Sequence, residues 1–191
     1  MRTLRKTEDG FSIVELIIVI AFMSVLATVT VSMSGILAGR KAHAATEKLS
    51  TLVGRTKGSA IAWSKGGFHD VTQDVDVLLT IHREPDGVHG TLRVNEEEED
   101  VLLSVDRVQF DAVYAQGRNQ SLAGAKSVTL TNETVFTLAF DKRTGAQLPE
   151  ADGTYLKQVV LTEGEKTYRL KLTPATGMYD VEIATTAATS E

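Results

Sequence analysis

The sequence Gly-Phe-Ser-Ile-Val-Glu occupies residues 10–15 and leads directly into Leu-Ile-Ile-Val-Ile-Ala-Phe-Met at residues 16–23. Glu15 is followed by 24 residues without a charge, which end at Gly39. A helix that crosses a bilayer core of about 30 Å needs about 20 apolar residues, whereas a secretory signal uses about 7–15. The length of the run therefore predicts a membrane-spanning helix. A charge in such a helix costs about 2.5–3.5 kcal/mol, so Glu15 is predicted to be functional.

The residues before this stretch form a short leader with basic side chains at positions 2, 5 and 6, which ends at Gly10. A charged leader ending in Gly, then Phe, then Glu five residues into the following chain resembles the signature of type IV prepilins and pseudopilins. The resemblance implies that a prepilin peptidase and N-methyltransferase cleaves after Gly10 and methylates Phe11. It also implies that the processed chain joins other pilin or pseudopilin subunits in a helical filament, at a membrane assembly platform.

Glu15 has a specific role under this hypothesis. Cleavage would leave a free amine on Phe11, and a carboxylate in a packed filament needs a cationic partner, which the amine of a neighbouring subunit can supply. This pairing would set the axial register of assembly. The same resemblance implies a single-pass protein of the bacterial cytoplasmic membrane with a cytoplasmic N-terminus, which later enters an extracytoplasmic filament.

The pattern beyond the apolar run predicts that residues 11 to about 65 form one long helix. Residues 11–39 are its transmembrane or filament-core half, and residues 40–65 are its amphipathic half. Apolar or small residues recur in the second half at steps of three and four, which is typical of a helix face packed on a core: Ala42, Ala45, Leu49, Leu52, Val53, Thr56 and Ala60. Trp63 is predicted to pack on the rest of the domain.

From Phe68 onward the apolar period changes to two, as in half-buried strands. Turn sequences such as Pro85-Asp86-Gly87 separate these strands, and the last three strands read as a meander. The predicted fold class is α+β and type IV pilin-like, with a long N-terminal helix packed on an antiparallel β-rich head. The predicted organisation is leader 1–10, helix 11–65, head 66–184 and tail 185–191.

Two sequences in the C-terminal half resemble the FimT/GspH-like minor pilins. They are Phe-Asp-Lys-Arg-Thr-Gly at residues 140–145 and Thr-Pro-Ala-Thr-Gly-Met at residues 173–178. In that family, two such strand-turn-Gly units close a β-sandwich behind the helix. The resemblance favours a minor pilin or pseudopilin over a major pilin, and leaves open whether the chain serves a pilus, a competence system or type II secretion.

The composition of the chain bears on an alternative function, which is binding of nucleic acid. The chain has 20 Lys and Arg against 25 Asp and Glu, which makes nucleic acid an unlikely partner because phosphate binding depends on basic side chains. The alternative function, a DNA-binding minor pilin acting in DNA uptake, would depend on the one dense basic group: Lys142, Arg143, Lys166, Arg169 and Lys171.

No catalytic motif appears, and the sequence predicts no enzyme activity, cofactor or metal. The four histidines, at positions 43, 69, 82 and 89, lack the spacing of a metal-binding motif. The acidic run at residues 96–100 could hold a hard cation, but it lacks the alternating ligands of a calcium loop and is predicted to be a solvated loop.

Overall fold

The computed structural model describes residues 13–14, 16–24, 39–65, 68–105 and 107–184. The chain divides into two compact units, Met1–Leu37 and Ala38–Glu191. In the first unit, residues 13–14 and 16–24 are helical and are called α1. The described part of the second unit contains helix α2 (Arg40–Trp63) and the following strands: β1 (Val77–Glu84), β2 (Gly87–Val94), β3 (Glu97–Ser104), β4 (Gln109–Gln116), β5 (Lys126–Thr129), β6 (Phe136–Leu138), β7 (Thr154–Glu163), β8 (Lys166–Thr173) and β9 (Met178–Ala184).

The strands form two antiparallel sheets. A four-stranded sheet has the order β3-β2-β1-β6, and a five-stranded sheet has the order β5-β4-β7-β8-β9. A hairpin turn at Pro85–Asp86 joins β1 to β2. The strand pairing begins with Glu84 opposite Gly87 and continues to Val77 opposite Val94. Strands β7, β8 and β9 form the predicted meander through short turns.

Helix α2 packs against strands of both sheets. Its predicted apolar stripe is confirmed, because every residue of that stripe is buried, together with Thr46. The stripe joins the main core, whose largest fully buried side chains include Phe110, Phe136 and Leu79. Close approach at Gly90 lets the helix lie flat on β2, since a Cβ at Gly90 would lie 2.8 Å from Cδ1 of Leu52.

The predicted fold class is wrong in its defining element, the single long helix over residues 11–65. Gly39 has φ of 82°, in the left-handed region, and α2 begins at the next residue. A helix that continued through this position would need φ near −63°, so Gly39 interrupts the predicted rod. In the part of the chain that the structure describes, there are two separate helices, α1 and α2, and mainly antiparallel sheet. Residues 25–38, which fall in the predicted rod, lie outside the described residues.

The predicted localisation as a single-pass membrane protein is also wrong by the structure. Within the described ranges, no helix is both long enough and apolar enough to cross a membrane. α2 has the length for a span, with 24 residues, but it is amphipathic and carries charged side chains on its exposed face.

Candidate functional site

The residues that the sequence singles out for processing and assembly lie at the N-terminus. Gly10, Phe11 and Glu15 all lie outside the described residues, as do the leader at 1–10 and the tail at 185–191. The described neighbours of Glu15 in the chain are the residues of α1, and they define the first candidate site.

α1 is an apolar helix without a polar face. Residues 16–23 contain no charged or hydrogen-bonding side chain, and the hydroxyl of Ser24 donates to the carbonyl oxygen of Ile20 at 2.8 Å. All of its described residues are exposed, and its large apolar side chains range from 46% exposed at Val19 to 78% at Ile13. A helix that is apolar all round is normally buried, so α1 presents a surface that calls for an apolar partner.

The start of α2 is fixed to the turn between β7 and β8. Oε2 of Glu163 accepts hydrogen bonds from the backbone N–H groups of Lys41 and Ala42, at 3.0 and 3.1 Å. The first N–H groups of a helix have no partner within the helix, and an anionic acceptor there is favoured by the helix dipole. Gly39 packs against the side chain of Lys166 in the same turn. The chain therefore enters the second unit at a defined point.

The two turns that carry the minor-pilin resemblance pack against each other. A Cβ at Gly177 would lie 2.0 Å from the carbonyl oxygen of Gly145, so only glycine fits there. The side chain of Asp141 closes its turn by accepting hydrogen bonds from the N–H groups of Arg143 and Thr144. The hydroxyl of Thr144 also donates to Asp141, and these bonds hold the pKa of the Asp141 carboxyl below its ordinary value.

The basic group that a DNA-binding role would need is interspersed with acids in the structure. Nζ of Lys171 lies 2.6 Å from Oε1 of Glu182, and Arg169 lies directly opposite Glu182 in the pairing of β8 with β9. Lys166 lies opposite Glu163 across the β7–β8 turn. These neighbouring carboxylates oppose the binding of a phosphate backbone.

The acidic run is exposed, as predicted, but most of it lies in a strand and not in a loop. Residues 97–100 belong to β3, at the edge of the four-stranded sheet. Successive side chains point to opposite faces of a strand, so the run is divided between two environments. Glu99 pairs with Arg55 of α2, and the hydrogen bond from this guanidinium lowers the pKa of the Glu99 carboxyl. Asp100 hydrogen-bonds to His89 and Thr91.

Trp63 is also placed differently from the prediction. It is 66% exposed, and it lines an open groove of about 800 Å³ between the end of α2 and β3. Arg55, Lys65 and the acidic residues 96–99 line the same groove. The ring of Trp63 and the charged residues around it are therefore accessible from solvent. The sequence pattern had instead predicted that this ring packs on the sheet.

The sequence reasoning missed one cluster, which lies on the β1–β2 hairpin. His82 and His89 are directly opposite each other, with ring centroids 5.9 Å apart. His89 lies between the carboxylates of Asp100 and Asp86, and the bond to Asp100 raises the pKa of its imidazole. The signal was present in the sequence, because a two-residue turn at Pro85–Asp86 pairs residue 82 with residue 89.

Comparison of the chain with models of known protein families, with curated proteins and with solved structures finds no match.

Proposed function

We propose that this chain is a non-catalytic structural subunit, a minor pilin or pseudopilin, of a type IV pilus-like filament or a type II secretion system. Its precursor is cleaved between Gly10 and Phe11 by prepilin peptidase, and Phe11 is N-methylated. Glu15 then pairs with the terminal amine of a neighbouring subunit and sets the register. The other partners are like subunits and the assembly platform that brings them together.

The observation that carries this proposal is the exposed, apolar α1 directly beside Glu15. Nine large apolar side chains of this helix are at least 46% exposed: Ile13, Val14, Leu16, Ile17, Ile18, Val19, Ile20, Phe22 and Met23. Full burial of such a side chain is worth about 1.5–3 kcal/mol, so bundling of α1 helices from several subunits is strongly favourable. Such head-to-tail contacts generate an open helical filament when the rotation does not close.

A second observation supports the minor-pilin branch of the proposal. The turns at residues 141–145 and 173–177 are in contact through Gly145 and Gly177, and Nζ of Lys57 on α2 donates to the carbonyl oxygen of Thr176 at 2.8 Å. The two strand-turn-Gly units thus meet beside the helix. This contact supports the minor-pilin branch of the proposal, in which two such units close a β-sandwich behind the helix.

The alternative function in DNA uptake has less support. Two of the basic residues that it needs face acids across neighbouring strands, and Lys171 is ion-paired with Glu182. A gel shift of the protein with duplex DNA over a range of salt concentrations distinguishes the two functions. A structural subunit gives no shift at physiological salt, whereas a DNA-binding subunit gives a shift that weakens steeply as salt rises.

Incorporation into filaments tests the role of Glu15. The wild-type chain and Glu15→Val are each co-expressed with a prepilin peptidase and a filament-forming set of partner subunits, and sheared filaments are quantified by immunoblot. We expect Glu15→Val to be lost from filaments by at least tenfold. The matched control is Glu8→Val, because residue 8 is removed with the leader before assembly. Normal incorporation of Glu15→Val, with cleavage intact, would remove the register role.

A further inference from the structure

The histidine pair of the β1–β2 hairpin forms the centre of a compact polar cluster. Its members are His82 and Glu84 on β1, Asp86 in the turn, His89 on β2 and Asp100 on β3. His89 is the only one of them that is almost fully covered, with 9% of its side chain exposed, whereas Glu84 and Asp86 are 50% and 66% exposed. The cluster therefore has one buried imidazole beneath a solvent-accessible rim.

The distances within the cluster match the spacing of ligands around a small metal ion. Nε2 of His89 lies 3.0 Å from Oδ1 of Asp86, and Nε2 of His82 lies 3.1 Å from Oε1 of Glu84. Nitrogen and oxygen ligands of tetrahedral zinc lie about 2.0–2.1 Å from the ion, which puts them roughly 3.3 Å from one another. One ligand atom each from Glu84, Asp86 and His89 lies within 4.8 Å of the other two.

The opposite side of His89 is held in the way that metal-binding imidazoles are held. Nδ1 lies 2.5 Å from Oδ2 of Asp100, and the other oxygen of Asp100 accepts a hydrogen bond from the hydroxyl of Thr91 at 2.9 Å. A carboxylate on Nδ1 fixes the tautomer and the ring orientation, and it directs Nε2 towards the carboxylate of Asp86. Three carboxylates surround the two imidazoles here, so their negative charge favours a divalent cation at the cluster.

From this geometry we infer that the β1–β2 hairpin binds a divalent transition-metal ion of the zinc class. Nε2 of His89 and the carboxylates of Glu84 and Asp86 are the protein ligands, and a water molecule completes the tetrahedral set. His82 borders the site through its contact with Glu84. Asp100 is the positioning residue. The imidazole ligand favours zinc or cobalt over calcium and magnesium, which take oxygen ligands.

The test uses the full-length chain without a polyhistidine tag, in a mild detergent because α1 is exposed and apolar. The protein is stripped with a chelator and titrated with Zn²⁺ by calorimetry near neutral pH, and separately with Co²⁺ by visible absorption. We expect one ion per chain and a Co²⁺ spectrum typical of tetrahedral coordination. Asp86→Asn and Glu84→Gln, both at exposed positions, should each weaken binding by at least tenfold. Asp100→Asn should weaken it about 10- to 100-fold.

The controls are Glu97→Gln, which removes an exposed carboxylate from the same sheet, and His69→Gln, which removes a histidine outside the cluster. Both should bind like the wild-type chain. The inference is overturned if Zn²⁺ does not bind, if Glu97→Gln weakens binding as much as Asp86→Asn, or if Ca²⁺ binds more tightly than Zn²⁺. Circular dichroism of each variant shows whether a loss of binding reflects unfolding, and a folded Asp86→Asn that binds normally also contradicts the site.

Discussion

Oε2 of Glu163 lies 3.1 Å from the backbone nitrogen of Ala42, a residue 121 positions earlier in the chain. The same oxygen accepts the N–H of Lys41 at 3.0 Å. The side chain of a distant hairpin therefore caps α2, whose own N-cap residue, Gly39, has no side chain to do so. This contact fixes where the helix begins and ties it to the five-stranded sheet.

Removal of this cap should destabilise the second unit. Glu163→Ala leaves two N–H groups without their acceptor, and we expect the free energy of unfolding to fall by about 1 kcal/mol. Chemical denaturation followed by circular dichroism measures the change. Glu133→Ala is the control, since it removes an exposed glutamate from a turn outside α2. Equal stability losses in the two variants would show that Glu163 does not act as a cap.

Contact between the two glycine turns should be visible in a matched pair of substitutions. Gly177 and Gly164 have almost the same φ, 60° and 61°, but a Cβ at Gly164 would meet nothing within 4 Å. Gly164→Ala should therefore cost only the left-handed backbone strain, about 1–2 kcal/mol. Gly177→Ala adds the overlap with the carbonyl of Gly145, and should cost several kcal/mol more or prevent folding. Similar melting temperatures for the two variants would exclude the close contact.

The packing of α2 on β2 is tested at Gly90. A Cβ there would lie 2.8 Å from Cδ1 of Leu52 and 3.3 Å from Cδ1 of Leu103, so Gly90→Ala should destabilise by about 1–3 kcal/mol. Leu52→Ala should destabilise by about 2–5 kcal/mol through the cavity that it leaves. The double variant Gly90→Ala/Leu52→Ala should lose less free energy of unfolding than the sum of the two single variants, because the shortened side chain at residue 52 makes room for the new methyl group at residue 90.

The control for this pair is Gly58→Ala, also in α2, where a Cβ would meet nothing within 4 Å. It should stabilise the helix by about 0.5–1 kcal/mol. Denaturant titrations of all four variants provide the comparison. Strict additivity at Gly90 and Leu52, or destabilisation by Gly58→Ala, would contradict the described packing of the helix.

Partial burial of Glu150 predicts a pH dependence of stability. Burial raises the pKa of this carboxyl above its ordinary value of 4.5, against the lowering effect of the hydrogen bond from Thr137. Because the pKa of Glu150 is higher in the folded protein, protonation of this carboxyl favours folding. The stabilisation that protonation provides is complete below the unfolded-state pKa and is lost as pH rises through the folded-state pKa. Glu150→Gln should therefore stabilise the protein at pH 7 relative to wild type, and this advantage should vanish in acid. Unfolding curves of Glu150→Gln and wild type at pH 7 and in acid measure this difference in stability, with Glu133→Gln as the control.

Local patterns in the sequence were sufficient for much of the β-structure. The alternation at residues 77–81 and 168–172 coincides with β1 and β8, and the turn at Pro85–Asp86 closes the expected hairpin. Strand β3 was missed because its first four residues are all acidic, so no apolar alternation marks it. Its stabilising partners, Arg55 and His89, belong to other elements and only become its neighbours in the fold.

The break at Gly39 could not be read from the sequence for a related reason. A glycine inside a helical pattern costs only about 1 kcal/mol, so it does not by itself end a helix. The partner that fixes the start of α2, Glu163, lies in a hairpin far along the chain. The histidine pair, in contrast, was within reach of the sequence, since a two-residue turn at Pro85–Asp86 places residues 82 and 89 opposite each other.

The central claim, that the chain is a processed pilin-like subunit, is tested most directly by the intact mass of the protein after co-expression with a prepilin peptidase. We predict loss of residues 1–10, a new N-terminus at Phe11 that carries a methyl group, and no cleavage of Gly10→Val at this bond. An unprocessed wild-type chain, or a Gly10→Val variant cleaved at the same bond, would contradict the account.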